Sequence, residues 1–219
     1  MYSNFNEEKK LWKQGYQFVV GLDEAGRGPL AGPVVAAAVL FNKKFKVSRS
    51  RTSANFKFRD SKKLTEKQRE FFYEKLTNHK NIKWGVGIVS EKVIDKINIL
   101  EATKLAMQKA LRQAQGKLKR KPHFLLIDGN FGIQVKIPQK SIVKGDEKVF
   151  SITAAGIIAK VTRDRIMQKM HIKYPQYGFG QHKGYGTSLH VKNLKSFGVS
   201  VIHRKSFEPV KTLVKTEII

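Results

Sequence analysis

The chain has 219 residues, 41% of them hydrophobic, which suits one large folded domain and excludes a disordered polyelectrolyte. Its 43 lysines and arginines against 17 acids give a net charge of +26, the footprint of a polyanionic partner. Nucleic acid is expected rather than a membrane, because no long basic amphipathic helix with an aromatic face is legible. The absence of cysteine excludes disulfides and thiolate catalysis and fits a reducing compartment.

In chain order, residues 1–16 read as a short amphipathic helix with Leu11 and Trp12 docking on the body. No apolar stretch there resembles a signal peptide, and the longest apolar run, Val34 to Phe41, is too short to span a bilayer, so a cytoplasmic protein is expected. Phe18 to Leu22 and Pro33 to Phe41 are short and β-branched, and read as two buried strands of a hairpin. Asn42 to Arg59, with seven basic residues and no acid, reads as an exposed loop. Thr65 and Gln68 have the spacing of a capping box, opening a helix to about Leu76 with Glu66, Glu70 and Glu74 on a solvated face. Ile82 to Val89 alternates as a strand that buries Ile82, Trp84, Val86 and Ile88. A helix from about Ile97 to Gln115 turns Leu100, Met107 and Leu111 inward and stops at Gly116. After a basic turn, Phe124 to Ile127 is a buried strand ending in Asp128-Gly129, and Val135 to Val143 holds one or two short strands before Lys144-Gly145-Asp146. Ser151 to about Lys173 is helical, followed by a Gly- and aromatic-rich loop to Thr187 and short helices broken near Gly198. The mixture predicts an α/β fold with a mixed sheet. Residues 1–173 would be the main domain with its N-terminal helix, and 174–219 a loop and small helical extension.

Without cysteine or a nucleophilic triad, carboxylates are the candidates for chemistry. Asp23, Glu24, Asp128 and Asp146 stand apart because they follow apolar strands, whose ends converge on one edge of an α/β sheet. Four crowded carboxylates cannot all ionise without cations, and Mg²⁺ or Mn²⁺, hard ions that take oxygen ligands, would suit them. Two such ions about 4 Å apart serve phosphoryl transfer. The competing reading is that each acid caps a turn or pairs with a lysine. Asp164, between two arginines on a helix, reads as a structural ion pair. Gly26-Arg27-Gly28 lets backbone approach a ligand and offers Arg to phosphate, and Tyr185, between two glycines, is a platform for a sugar or base. The six histidines form no zinc-finger or zincin pattern.

Several stretches, in order, resemble the ribonuclease HII family: DEAGRGPLAGPV at 23–34, DSKKL at 60–64, Asp-Gly at 128–129, Lys-Gly-Asp at 144–146, IIAKVTRD at 157–164, HKGYGT at 182–187 and HRKSF at 203–207. The resemblance implies a ribonuclease H-like fold and a monomer that cuts the RNA strand of RNA·DNA hybrids. It also implies nicking 5′ of ribonucleotides embedded in duplex DNA, leaving a 3′-hydroxyl and a 5′-phosphate. It makes Asp23, Glu24, Asp128 and Asp146 the metal ligands, gives Gly26, Arg27, Gly28 and Tyr185 the 2′-hydroxyl at the RNA–DNA junction, and assigns phosphates to Lys62 and Ser151. Positions 153 and 156, here Thr and Gly, are more often Ala and Ser in the family. A different ribonuclease H-like DNA nuclease would lack a use for the Gly-Arg-Gly turn and the Tyr185 loop, and a non-enzymatic RNA-binding protein would lack one for the strand-end acids.

Overall fold

The computed structural model describes residues 3–42, 64–118 and 121–216. The expected basic loop past Asn42, and Lys62 with it, lie outside the described residues. Five strands form one sheet in the order β3-β2-β1-β4-β5. β1 (Phe18–Ala25) and β2 (Val34–Asn42) make the expected antiparallel hairpin, and β3 (Ile82–Val89) pairs antiparallel with β2. β4 (Phe124–Asp128) and β5 (Gln139–Ile142) run parallel to β1, so the carboxyl ends of β1, β4 and β5 share one edge.

β2 explains why the sheet is sandwiched. Its alternate residues Val35, Ala37, Val39 and Phe41 pack with α5 (Phe150–Lys173), while Val34, Ala36, Ala38 and Leu40 pack with α3 (Glu91–Leu118). A central strand buried on both faces reads as a continuous apolar run, as this one does. α1 (Asn6–Lys13) closes one edge, with Leu11 buried and Trp12 packed beside it as expected.

Three elements differ from expectation in informative ways. β3 buries Ile82 and packs Trp84 and Val86 against the core on the expected face, but Ile88 is 45% exposed, and the opposite face is not left to solvent. Gly85 and Gly87 instead lie directly under α3, where an added Cβ would stand 2.3 Å from the Ala110 oxygen and 1.9 Å from the Ala106 oxygen. The helix approaches that closely only because these residues lack side chains. α3 begins at Glu91 and is broken at Asn98 (φ 65°), whose Oδ1 accepts from the amides of Leu100 and Glu101 and so caps the longer segment. That segment runs through Gly116 to Leu118. In α2 (Glu66–Asn78) the Thr65–Gln68 capping box is present, but Glu70 is not simply solvated, since it binds Arg165 of α5 at 2.5 Å.

α4 (Gly145–Lys148) leads into α5, and a 3₁₀ turn, Pro175–Tyr177, follows it. Beyond the turn, α6 (Phe179–His182), α7 (Ser188–Phe197) and α8 (Val210–Thr216) pack on the far end of α5. Their core, with Tyr177, Phe179, Leu194 and Val210, encloses Met167 of α5 and Leu30 and Ala31 of the turn between β1 and β2. The C-terminal segment is thereby fixed to the same turn that carries Gly26-Arg27-Gly28. No helix among the described residues is long and apolar enough to cross a membrane.

Candidate active site

Parallel pairing sets the acids side by side. β1 and β4 are in register up to Leu22 and Ile127, so Asp23 and Asp128 are the next residues on adjacent strands. Asp23 and Glu24 lie within β1 rather than beyond its end, because Ala25 still pairs with Val35 of β2. Asp146 arrives from α4, just after β5, and is tied to Asp128: the amide of Gly145 donates to Asp128 Oδ1 at 2.7 Å and that of Asp146 at 3.4 Å. Thr153 of α5 donates to the Asp146 carbonyl at 2.7 Å and so fixes α4 from below. All four acids line one cleft of about 400 Å³, together with the Gly26–Gly28 turn and Tyr185.

The electrostatics are those of a crowded anionic centre. Burial first, then the charges of Glu24, Asp128 and Asp146, hold the Asp23 carboxyl well above its usual range. Burial pushes Glu24 up to about 7 against the opposing pull of Arg27, whose guanidinium stands 3.5 Å away. Glu24 Oε2 is buried and, among the described residues, has no hydrogen-bond partner. A buried carboxylate oxygen left bare is costly unless a cation meets it. That orphaned oxygen, in an all-oxygen donor set whose members raise one another, fits a hard divalent ion. Among the described residues no three His, Asp or Glu side chains already stand in ligating geometry around one point, so the acids line a cleft rather than a closed cage.

Gly26-Arg27-Gly28 and Tyr185 face each other across this cleft. Tyr185 is 44% exposed, and a Cβ on Gly28 would lie 3.8 Å from its Cε1. Gly26 itself has φ +98°, a conformation in which a side chain would be strained and would strike Arg163.

Two buried arginines build this arrangement, and neither was assigned a role from sequence. Arg204 donates to the carbonyls of Gly26, Arg27 and Gly32 at 2.6, 2.9 and 2.9 Å. Arg163 donates to those of Pro33, Lys183 and Ala31 at 3.0, 3.0 and 3.1 Å. Each spreads its charge over three carbonyls, and together they lock the glycine turn to the segment before Tyr185. Burial, with the neighbouring Arg163, lowers Arg204 to about 9. Within His203-Arg204-Lys205 such a residue is indistinguishable from a solvated basic run.

The remaining expectations fall out differently. Ser151 is fully buried at the start of α5, its amide bonded to Glu8 Oε1 at 2.8 Å. It does not line the cleft, so the phosphate contact expected of it does not fit its position. Asp164 is a structural ion pair, as expected, but its partner is Lys160 at 2.9 Å, because Arg163 is occupied by carbonyls and Arg165 by Glu70. Gly156 meets Asp23 directly: an added Cβ would stand 2.3 Å from Asp23 Oδ2. Histidines that are distant in sequence do gather. His182 stacks on His190 at 4.4 Å, and His190 Nε2 meets His203 Nε2 at 3.0 Å. The amide of Ser200 donates to His203 Nδ1, so His203 donates through Nε2 to His190, which donates through Nδ1 to the Tyr185 carbonyl. This is a neutral relay under the Tyr185 loop, not a ligand set.

A family model described as ribonuclease HII matches residues 20–210. The chain is 50% identical over 214 residues to the ribonuclease HII of Chlamydia trachomatis serovar L2, spanning 95% of this chain and 93% of that protein. It is 52% identical over 200 residues to the ribonuclease HII of Acetivibrio thermocellus, spanning 91% and 73%. The solved structure of ribonuclease H2 from Pyrococcus horikoshii OT3 aligns with a TM-score of 0.69 at 28% identity, over 91% of this chain and 98% of that one. With its mixed sheet, flanking helices and strand-end acids, the chain belongs to the ribonuclease HII family of endoribonucleases, phosphodiester hydrolases with a ribonuclease H-like fold.

Proposed function

We propose that this protein hydrolyses the RNA strand of RNA·DNA hybrids and nicks duplex DNA on the 5′ side of an embedded ribonucleotide, leaving a 3′-hydroxyl and a 5′-phosphate. The observation that carries this reading is one cleft holding four acids on one side and a glycine turn opposed by an exposed tyrosine on the other. Asp23, Glu24, Asp128 and Asp146 would hold Mg²⁺ or Mn²⁺, and a pair of such ions, when bound, supplies positive charge to the attacking and leaving oxygens of a phosphodiester. The chain's own residues prepare that site. The Gly145 and Asp146 amides orient Asp128, and Thr153 orients the segment carrying Asp146. Burial, and then the neighbouring carboxylates, keep Asp23 and Glu24 reluctant to ionise alone, so cation binding would release protons.

Recognition falls to the opposite wall. Arg204 occupies the Gly26 and Arg27 carbonyls, so a 2′-hydroxyl would be met by the turn's N–H groups, which the absence of side chains leaves approachable. Tyr185 would stack on the adjacent deoxyribose and clash with a further hydroxyl there, favouring a junction. Residues 1–173 are in this reading the catalytic unit and 174–219 the substrate-holding segment of a cytoplasmic monomer, whose net charge of +26 suits a phosphate-rich partner. A gel assay on three duplexes tests it: all-DNA, one ribonucleotide, and one 2′-O-methyl ribonucleotide. Only the second should be cut, and Tyr185→Ala should lose most of that activity while remaining folded. Equal cutting of the first two, or a Tyr185→Ala enzyme as active as the parent, contradicts this account of recognition.

A further inference from the structure

The acid cleft also holds cations to which nothing so far gives a task. Arg69, in the first turns of α2, lines it together with Lys160 of α5. The two helices are packed against each other and tied by Arg165 and Glu70. A guanidinium has five N–H donors. Arg69 places one group, Nη1, on the Leu64 carbonyl, and among the described residues it has no carboxylate partner. Its neighbour Glu70 is taken by Arg165, so the rest of the Arg69 fork stays available to the cleft. Lys160 lies four residues beyond Gly156, where α5 touches Asp23, a displacement of about 6 Å along the helix. Its ammonium is held at 2.9 Å by Asp164 and stands 6.0 Å from the Tyr185 ring. Along α5 the order is therefore the contact with the acids, then Lys160, then the acid that positions Lys160.

We propose that Arg69, assisted by Lys160, is the subsite for a backbone phosphate flanking the scissile one on the cleaved strand. The proposal rests on the reading of the cleft as a nucleic-acid hydrolysis site. A strand laid across the acids must place its next phosphate against some neighbouring wall, and this wall presents a planar fork suited to two phosphate oxygens and a second point charge. It supplies the contact that buried Ser151 cannot make. Arg69 is here a binding residue, and Asp164 a positioning residue for Lys160.

The test measures binding without chemistry. Fluorescence anisotropy of a labelled RNA·DNA hybrid, in chelator and across a salt series, compares the parent with Arg69→Gln and Arg69→Lys. Arg69→Gln should bind about tenfold more weakly and flatten the log–log salt slope by about 0.9. Arg69→Lys, which keeps the charge and the packed stem, should restore the slope but only part of the affinity. Hybrids carrying one neutral methylphosphonate at successive positions then locate the contact. At one position beside the scissile phosphate the parent should weaken while Arg69→Gln does not weaken further. An unchanged salt slope in Arg69→Gln, or equal losses in parent and variant at every position of the cleaved strand, overturns the proposal. If Arg69→Gln fails to fold, Arg69→Lys decides by the same scan: parent-like affinity and an unaltered response at every position overturn it, and a reduced response at one position supports it. Cutting of the hybrid by the parent, measured separately with Mg²⁺ or Mn²⁺, distinguishes a failure of this inference from a failure of the functional reading.

Discussion

Replacing Glu24 with Gln should make the protein more stable and less active at once. Burial and the neighbouring Asp128 and Asp146 charges push this carboxyl from its ordinary 4.5 up to about 7. At about pH 8 the group is ionised in both folded and unfolded chains, and its raised value means the folded state bears about 3 kcal/mol of unfavourable ionisation. The sign follows from proton counting: between 4.5 and about 7 the folded protein binds the extra proton, so this group lowers stability as pH rises through that window. Gln keeps the shape and removes the charge. The opposing pull of Arg27, 3.5 Å away, is already contained in that raised value. Local relaxation recovers part of the ionisation cost, leaving a gain of about 1–2 kcal/mol, or about 2–8 °C in Tm for a chain of this size. Thermal unfolding of parent and Glu24→Gln in chelator, at about pH 8 and again near pH 4, measures it: the gain should be present at the higher pH and absent at the lower. A variant that is equally or less stable at the higher pH would show that Glu24 does not sit in a mutually repelling cluster.

Asp164→Asn removes the charge that pairs with Lys160 and should cost about 1 kcal/mol of stability, read by denaturant unfolding, while cleavage at saturating substrate is retained. Complete inactivity in a stable Asp164→Asn protein would transfer the metal role to Asp164. The histidine relay gives the opposite pH sign from Glu24. Burial lowers His190 and His203 to about 4, so unfolded rings bind protons first and stability is lost as pH falls from about 6.5 toward 4. The stability of the parent relative to a His190→Gln/His203→Gln double variant should fall by about 6 kcal/mol across that window, about 3 for each ring, and a constant difference would refute the relay.

The acids were legible because their surroundings are local. Apolar β-branched runs end in Asp-Glu and Asp-Gly, and parallel pairing of β1 with β4 then juxtaposes Asp23 and Asp128. The Thr65–Gln68 capping box was legible for the same reason. What sequence could not carry is contact across distance. The side of β3 that lies under α3 is the glycine side, and glycine leaves no hydropathy signal at Gly85 or Gly87. Ser151 sits in the expected helix, but its burial under Glu8 depends on how α1 docks. Arg163 and Arg204 read as solvated charges, and only the folded turn reveals six carbonyls waiting for them. The same holds for His182, His190 and His203, which are brought together only by the C-terminal helices.

The most direct test of the strand-end acids as a metal-dependent hydrolytic centre is cleavage of a labelled RNA·DNA hybrid by the parent and by Asp128→Asn, with hybrid binding measured in the same samples. Asp128 Oδ1 is held by the Gly145 and Asp146 amides, and Asn keeps an oxygen there while removing the charge. The parent should cut with Mg²⁺ or Mn²⁺ and stop in chelator. Asp128→Asn should bind the hybrid like the parent but lose at least about a hundredfold in turnover, as expected for several kcal/mol of lost transition-state stabilisation. Near-parental turnover by Asp128→Asn in saturating metal, or cutting by the parent in chelator, would contradict the account.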